Sequence, residues 1–87
     1  MATTLDEKTI EDVVAFHGHW CPGLALGIRL AELALREVGR ADDEEIVAVA
    51  ESDSCAVDAV QFLTGCTVGK GNLLIRDVGK MAFSFYR

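Results

Sequence analysis

Apolar residues crowd the first half of the chain and predict one long helix there. From about Pro22 to Val38 nearly every residue is apolar, and Gly39 is a suitable stop. The polar side chains recur at spacings of three and four, at Arg29, Glu32, Arg36 and Arg40. Such a narrow polar stripe predicts a helix that is buried on most of its sides. Gly23 and Gly27, four residues apart, favour close packing against another backbone.

Two shorter helices are predicted, one on each side of the long one. The segment from Thr4 to Ala15 has a partial apolar face and acidic residues near its start, where they suit the positive end of a helix dipole. Pro22 fits the first position of the long helix, which would make Cys21 its N-cap. Asp53 or Ser54 is a good N-cap for a third helix from Cys55 to about Thr64, closed by Gly65.

Strand patterns lie between and after the helices. Ile46 to Ala50 is a short β-branched apolar run, which predicts a strand buried on both faces. Residues 73–86 predict a β-hairpin that turns at Val78 and Gly79, because apolar and polar residues alternate after the glycine. We therefore expect a small single α+β domain, with a long buried helix and further helices packed on a short antiparallel or mixed sheet.

Composition narrows the partners and the compartment. The 87 residues suffice for one core, and half of them are hydrophobic, which suggests that some apolar surface is buried against a partner. The net charge of −6 without a basic cluster argues against nucleic acid or an anionic membrane as partner. Residues 42–45 form an acidic run that we interpret as a solvated loop. The polar N-terminus resembles no export signal, so we expect a cytoplasmic protein.

The candidate chemistry lies in the segment "FHGHWCPG". His17, His19 and Cys21 occupy alternate positions, and in an extended segment their side chains would point to one side. Imidazole nitrogen and thiolate sulfur are ligands of Zn²⁺ and similar ions. The spacing matches no zinc ribbon or metalloprotease helix. A histidine that caps a helix end, beside cysteines that act as small buried hydrophobes, is therefore an equal alternative.

A second helix start carries the next cysteine. Cys21 and Cys55 would each lie at a helix N-terminus, where the dipole lowers the pKa of a thiol. Asp58, one turn after Cys55, could be a ligand, an acceptor that orients a histidine, or a solvated charge. Cys66 follows a helix end and fits a buried hydrophobe better. Three cysteines make an odd count, which disfavours a structural disulfide framework.

The glycine-containing stretch "GCTVGKGN" suggests two alternatives, an anion site or a tight turn. Lys70 and Gly71, with neighbouring loop amides, could bind an anionic cofactor, but the spacing does not match a Walker A loop. A tight turn into the following strand is the favoured interpretation. No nucleophile elbow of the serine hydrolases is present either.

Three blocks of the sequence together resemble the FmdE family, which is named after one component of formylmethanofuran dehydrogenase. The blocks are "FHGHWCPGLALGIRLAELAL", "DSCAVDAVQFLTGCTVGKGNL" and "RDVGKMAFSFY", and the resemblance covers residues 10–87. It implies a dimeric α+β core domain, here residues 1–87 without the C-terminal zinc-finger extension of longer members. It also implies a metal-associated, thiol-containing site.

The positions that match the family's motifs give the expected site. We expect His17, His19, Cys21 and Cys55 to bind a transition metal, with zinc as the first choice and nickel or iron as others. Asp58 and Cys66 would lie just outside the ligands, and residues 69–72 would close over whatever binds. Two other functions stay open: a thiolate-based enzyme that uses Cys55, and a non-catalytic accessory subunit of a larger molybdenum or tungsten oxidoreductase.

Overall fold

A computed structural model provides the structure of residues 5–40 and 46–87, which form three helices and a three-stranded mixed sheet. In chain order the elements are α1 (Glu7–His17), α2 (Pro22–Val38), β1 (Val47–Ala50), α3 (Cys55–Thr64), β2 (Leu73–Ile75) and β3 (Phe83–Tyr86). The predicted α+β class is confirmed. The acidic run at 42–45 lies outside the described residues. Within them, no helix is long and apolar enough to cross a membrane.

Helix α1 is displaced along the chain from its predicted position. Its N-cap is Asp6, whose carboxylate accepts a hydrogen bond from the Thr9 amide at 2.8 Å, so the helix begins at Glu7; Thr4 lies outside the described residues. The helix continues past Ala15 to His17 and ends at Gly18, which has a left-handed φ of 106°. This extension places His17 on the last turn of a helix rather than in an extended segment.

Helix α2 has the predicted ends and a different burial. It begins at Pro22 behind the N-cap Cys21 and ends before Gly39, as the sequence indicated. In the single chain its burial is less complete than predicted, because Leu26 and Leu33 are 42% and 39% exposed. The supposed polar stripe is interrupted as well: Glu32 is buried and accepts a hydrogen bond from Arg29 at 2.7 Å. One apolar face of α2 is covered and another is not.

Helices α2 and α3 pack almost backbone to backbone. A Cβ atom built on Gly27 would lie 2.5 Å from the Cα of Ala56 and 2.7 Å from its carbonyl oxygen. One turn earlier, a Cβ on Gly23 would lie 3.2 Å from the Cβ of Cys55. The glycine spacing noted in the sequence thus serves close packing, as predicted. It also brings the first turns of the two helices together.

The sheet has the order β2-β1-β3, so the predicted hairpin is wrong. Strand β1 pairs with β2 in parallel (Ala48 opposite Leu73) and with β3 in antiparallel orientation (Ala48 opposite Phe85). Residues 76–82 cross the end of β1 instead of forming a two-stranded turn: the Arg76 amide donates to the Ala50 carbonyl, and the amides of residues 78 and 80 donate to Glu51. In a hairpin, β2 and β3 would form backbone hydrogen bonds with each other. Here each of them forms these bonds with β1, which lies between them.

Strand β1 lies centrally but is not equally covered on both faces. Ala48 and Ala50 are fully buried, whereas Val47 and Val49 are half-buried. Strand β1 begins at Val47, and the buried Ile46 precedes it. The expectation of burial on both faces therefore holds only in part. The more deeply buried face belongs to the core that includes Leu24, Val60 and Leu63 of the helices.

We predict that Gly27→Ala lowers the free energy of unfolding by about 2 kcal/mol. Overpacking a tight contact costs about 1–3 kcal/mol, and the clash is with backbone atoms that cannot rotate away. Alanine recovers only about 1 kcal/mol of helix propensity. Urea denaturation followed by circular dichroism measures the loss. Gly69→Ala is the control, since its nearest neighbour is 4.0 Å from the new Cβ. Equal stability of the two variants would contradict the close contact.

Candidate metal centre

The end of α1 and the starts of α2 and α3 bring four metal-ligating side chains together. One nitrogen or sulfur atom from each of His17, His19, Cys21 and Cys55 lies within 4.8 Å of the corresponding atoms of the other three. A tetrahedral ion with bonds of about 2.0–2.3 Å separates its ligands by about 3.3–3.8 Å. The four donors therefore need only a small contraction to surround one ion.

His17 is held in position by Asp58, which lies on α3. Nδ1 of His17 is 2.7 Å from Oδ2 of Asp58, and the histidine side chain is only 10% exposed. A carboxylate can only accept, so Nδ1 donates and the lone pair is left on Nε2. Among the described residues, His17 Nε2 is the buried side-chain nitrogen or oxygen that has no hydrogen-bond partner. A buried acceptor of this kind is suited to a metal ion.

The same contact changes the acid–base behaviour of His17. The hydrogen bond to Asp58 raises the pKa of His17, and burial opposes this increase; a smaller contribution comes from the Cys21 thiol. The favourable contact with the protonated imidazole stabilises the fold below the pKa of the unfolded chain. That stabilisation is lost as the pH rises through the higher pKa of the folded state. A metal ion would compete with this proton.

The two thiols differ, although each begins a helix. Sγ of Cys21 accepts a hydrogen bond from the Leu24 amide at 3.4 Å, which lowers the pKa of Cys21. The pKa of Cys55 is raised, first by its hydrogen bond to Cys21 and then by burial. The expectation that both helix starts lower a thiol pKa is therefore wrong for Cys55. Once Cys21 carries the negative charge, a second thiolate beside it is disfavoured.

His19 forms the exposed side of the group. Its ring centroid lies 4.6 Å from that of His17, with the ring planes inclined by 40°. His19 and the adjacent Trp20 are both exposed, whereas His17, Cys21 and Cys55 are half-buried. The turn at Gly18 brings the histidines together, because the H-x-H-x-C segment is not extended throughout. The group thus opens to solvent past His19.

The other predicted residues lie at different distances from this group. Asp58 contacts His17 directly, as one of its three suggested roles requires. Cys66 is fully buried in the core, where its thiol approaches the Ile46 carbonyl at 3.6 Å, and it is not a member of the group. Lys70 and Gly71 belong to a tight turn in which the Lys70 amide donates to Thr67 Oγ1 at 3.0 Å. The favoured interpretation of that stretch as a turn fits this geometry.

Sequence reasoning missed Gln61. Its side-chain nitrogen donates to Oδ1 of Asp58 at 3.3 Å, and its side-chain oxygen accepts from the Val68 amide at 3.1 Å. The available signal was its position one turn after Asp58 on the same helix face. A glutamine at that spacing is common on solvated helices, so the pattern alone did not distinguish it.

Comparisons with known proteins agree with the resemblance seen in the sequence. The sequence profile of the family described as "FmdE, Molybdenum formylmethanofuran dehydrogenase operon" matches residues 16–87. A crystal structure of an FmdE-like protein from Syntrophus aciditrophicus, described as similar to a component of tungsten formylmethanofuran dehydrogenase, matches at a TM-score of 0.78 and 36% identity. The similarity covers 92% of this chain and 42% of that one.

A curated relative is much longer. A protein of Archaeoglobus fulgidus named "Probable S-adenosyl-L-methionine-binding protein" is 41% identical over 78 residues. The match covers 83% of this chain and 21% of the relative, so the present chain spans about a fifth of that protein. The profile match over residues 16–87 covers most of the chain and includes all four clustered donors. The chain therefore belongs to the FmdE family.

Proposed function

We propose that this FmdE domain binds one transition-metal ion through His17, His19, Cys21 and Cys55. The observation that carries the proposal is the buried Nε2 atom of His17, which has no partner and lies within a group of three further donors. Two sulfur and two nitrogen donors are a set that zinc accepts in tetrahedral geometry, and nickel or iron are the other candidates.

The surface position of His19 bears on the role of the ion. Four protein ligands make a closed, structural site, whereas three leave a position for water or substrate. In the latter case the metal would act as a Lewis acid or activate water. His19 is the exposed member of the group, so it is the ligand that a small molecule would most readily replace. An enzyme of this type is the second candidate function, and retained metal with new reactivity in His19→Ala would favour it.

A thiolate nucleophile at Cys55 receives less support than metal binding. The neighbouring Cys21 raises the pKa of Cys55, so Cys21 carries the thiolate when one charge is present. An accessory role beside a larger molybdenum or tungsten oxidoreductase is supported by the family's description and by the relative from Syntrophus aciditrophicus. We also propose a cytoplasmic location, since thiolate ligands require reduced cysteines.

Metal analysis of the purified protein tests the site. We expect one ion per chain by inductively coupled plasma mass spectrometry, and a cobalt-substituted form with sulfur-to-metal charge-transfer absorption. Cys55→Ser and His17→Ala each remove a ligand. Their metal affinity should therefore fall by more than the ~10–100-fold that loss of an outer contact costs.

Cys66→Ala is the matched control for the cysteine variants. Its sulfur lies in the core outside the four donors, so this variant should keep the full metal content. The proposal fails if the parent protein holds no stoichiometric metal, or if Cys55→Ser and His17→Ala keep the affinity of the parent.

Metal affinity should rise with pH between about 6 and 9, because the ligands must lose protons before they bind. The raised pKa of His17 makes its proton a competitor at a higher pH than in a free histidine. The raised pKa of Cys55 has the same effect at the alkaline end. Competition titrations with a chelator at several pH values measure the slope. In Asp58→Asn, protonation of His17 should weaken metal binding only at lower pH, because the carboxylate that raises the pKa of His17 is gone. A metal affinity that does not change with pH would refute the assignment of these ligands.

We propose that the domain forms a homodimer through the uncovered face of α2. Leu26, Leu30 and Leu33 recur at intervals of four and three, so they share a helix face, and none of them is buried. Exposed leucines in a row on a small domain indicate an interaction surface. The expected partner of this surface is the same face of a second copy, which is the usual symmetry of a protein dimer.

Sedimentation of the parent and of Leu26→Lys/Leu33→Lys tests this interface. The parent should sediment as a dimer, and the double variant as a monomer, because two buried charges would be left without partners. Leu74→Lys is the control: it removes a still more exposed leucine, at the sheet edge, and should leave the dimer intact. A dimer that is lost only in Leu74→Lys would move the interface to the sheet edge.

A further inference from the structure

The side chain of Gln61 joins Asp58 on α3 to the turn that follows this helix. From α3 it donates to Oδ1 of Asp58 at 3.3 Å and accepts from the Val68 amide at 3.1 Å. The second oxygen of Asp58 is the one that contacts His17, at 2.7 Å. A continuous chain of hydrogen bonds therefore runs from the backbone at Val68 through Gln61 and Asp58 to the His17 ring.

Chemistry allows only one orientation for the Gln61 amide. The Val68 N–H is a donor and must meet the amide oxygen, while the Asp58 carboxylate is an acceptor and must meet the amide nitrogen. A flipped amide would oppose donor to donor at one end and acceptor to acceptor at the other. The donor and the acceptor of each hydrogen bond from Val68 to His17 are thus fixed. The last of these bonds requires that the proton of His17 lie on Nδ1.

The backbone end of this chain is anchored in the core. Thr67, which precedes Val68, donates its amide to Oδ1 of Asn72 at 2.8 Å. Asn72 is 1% exposed and donates to the Ile46 carbonyl at 3.1 Å, immediately before β1. The turn that begins at Val68 is therefore held to the sheet. Gln61 is attached to a fixed point and not to a freely moving loop.

Asp58 needs such support because it is not buried. Its side chain is 34% exposed, so water competes for both oxygens and the carboxylate would otherwise rotate. A rotated carboxylate would leave Nδ1 of His17 without its acceptor and allow the other tautomer, in which Nε2 carries the proton and no metal-binding lone pair. The bond from Gln61 opposes this rotation.

We propose that Gln61 is a positioning residue of the metal centre. It holds the Asp58 carboxylate so that His17 keeps its proton on Nδ1 and directs the lone pair of Nε2 at the ion. This inference rests on the proposed function for its metal-directed part. Its test therefore includes one measurement that needs no metal.

The first measurement is the tautomer of His17 in metal-free protein. Nitrogen-15 NMR of labelled histidine, at a pH where the ring is neutral, should show the Nδ1–H form in the parent. Gln61→Met has a similar volume and makes neither bond, so the population should shift toward the Nε2–H form. Gln61→Glu is a second variant: when ionised it still accepts from the Val68 amide but cannot donate to Asp58. It should give the same shift of tautomer.

The second measurement is zinc affinity by chelator competition. We expect Gln61→Met to bind zinc ~10–100-fold more weakly, the loss that follows removal of an outer contact. Thr67→Val is the matched control, because it removes an acceptor in the same turn that is not part of the chain to His17. In an Asp58→Asn background, Gln61→Met should have little further effect, since the two residues act in series.

The outcomes separate the inference from the proposed function. If the parent binds zinc while both Gln61 variants keep the parent's tautomer and Gln61→Met keeps its affinity, Gln61 has no positioning role and the metal site stands. Additive losses in the Asp58→Asn background would likewise overturn it, since they would indicate a general effect on the fold. If the parent binds no zinc, the proposed function fails, and the His17 tautomer alone decides whether Gln61 orients the ring.

Discussion

Helices α2 and α3 approach so closely that the Cα of Gly27 has room only for a hydrogen on the side facing Ala56. This contact fixes the position of one helix start relative to the other, and Gly23 continues it up to Cys55. Because the N-cap Cys21 and the first-turn Cys55 are attached to those two starts, their sulfur atoms meet. A wider helix spacing would leave the same four donors in the chain without a common centre.

The meeting of two helix starts also sets the charge of the centre. Both N-termini present amide hydrogens and the positive ends of their dipoles to the thiols, which favours negative charge there. One thiolate is accommodated in this way, at Cys21, and it raises the pKa of Cys55. The three negative charges of two thiolates and the Asp58 carboxylate exceed what the partial positive charges of the two helix N-termini can offset. A divalent ion supplies the missing positive charge, which is consistent with the donor set.

Local signals in the sequence predicted the ends of α2 and α3 well, and long-range pairing much less so. Pro22 and Gly39 marked the ends of α2 because cap chemistry is encoded within a few residues. The hairpin was wrong because residues 73–86 alternate as a hairpin does, while the sheet order depends on β1, which is far away in sequence. The alternating donors predicted a site from local spacing alone. Cys66 is buried in the core, as its place after a helix end indicated, although the family resemblance had placed it near the ligands. The contact of His17 with Asp58 could only be suggested, since it joins helices that are distant in the chain.

The position of β1 between β2 and β3 has a consequence for the order of folding. Both partners of β1 follow it in the chain, so the sheet cannot close until the last residues are available. The α2–α3 contact and all four donors precede those partners. Because a chain is synthesised from its N-terminus, these residues are all available before either partner strand has been made. The helical layer and its ligand cluster can therefore assemble first, as a nucleus onto which the sheet is added, and an ion bound at that stage would cross-link two distant segments before the core is complete.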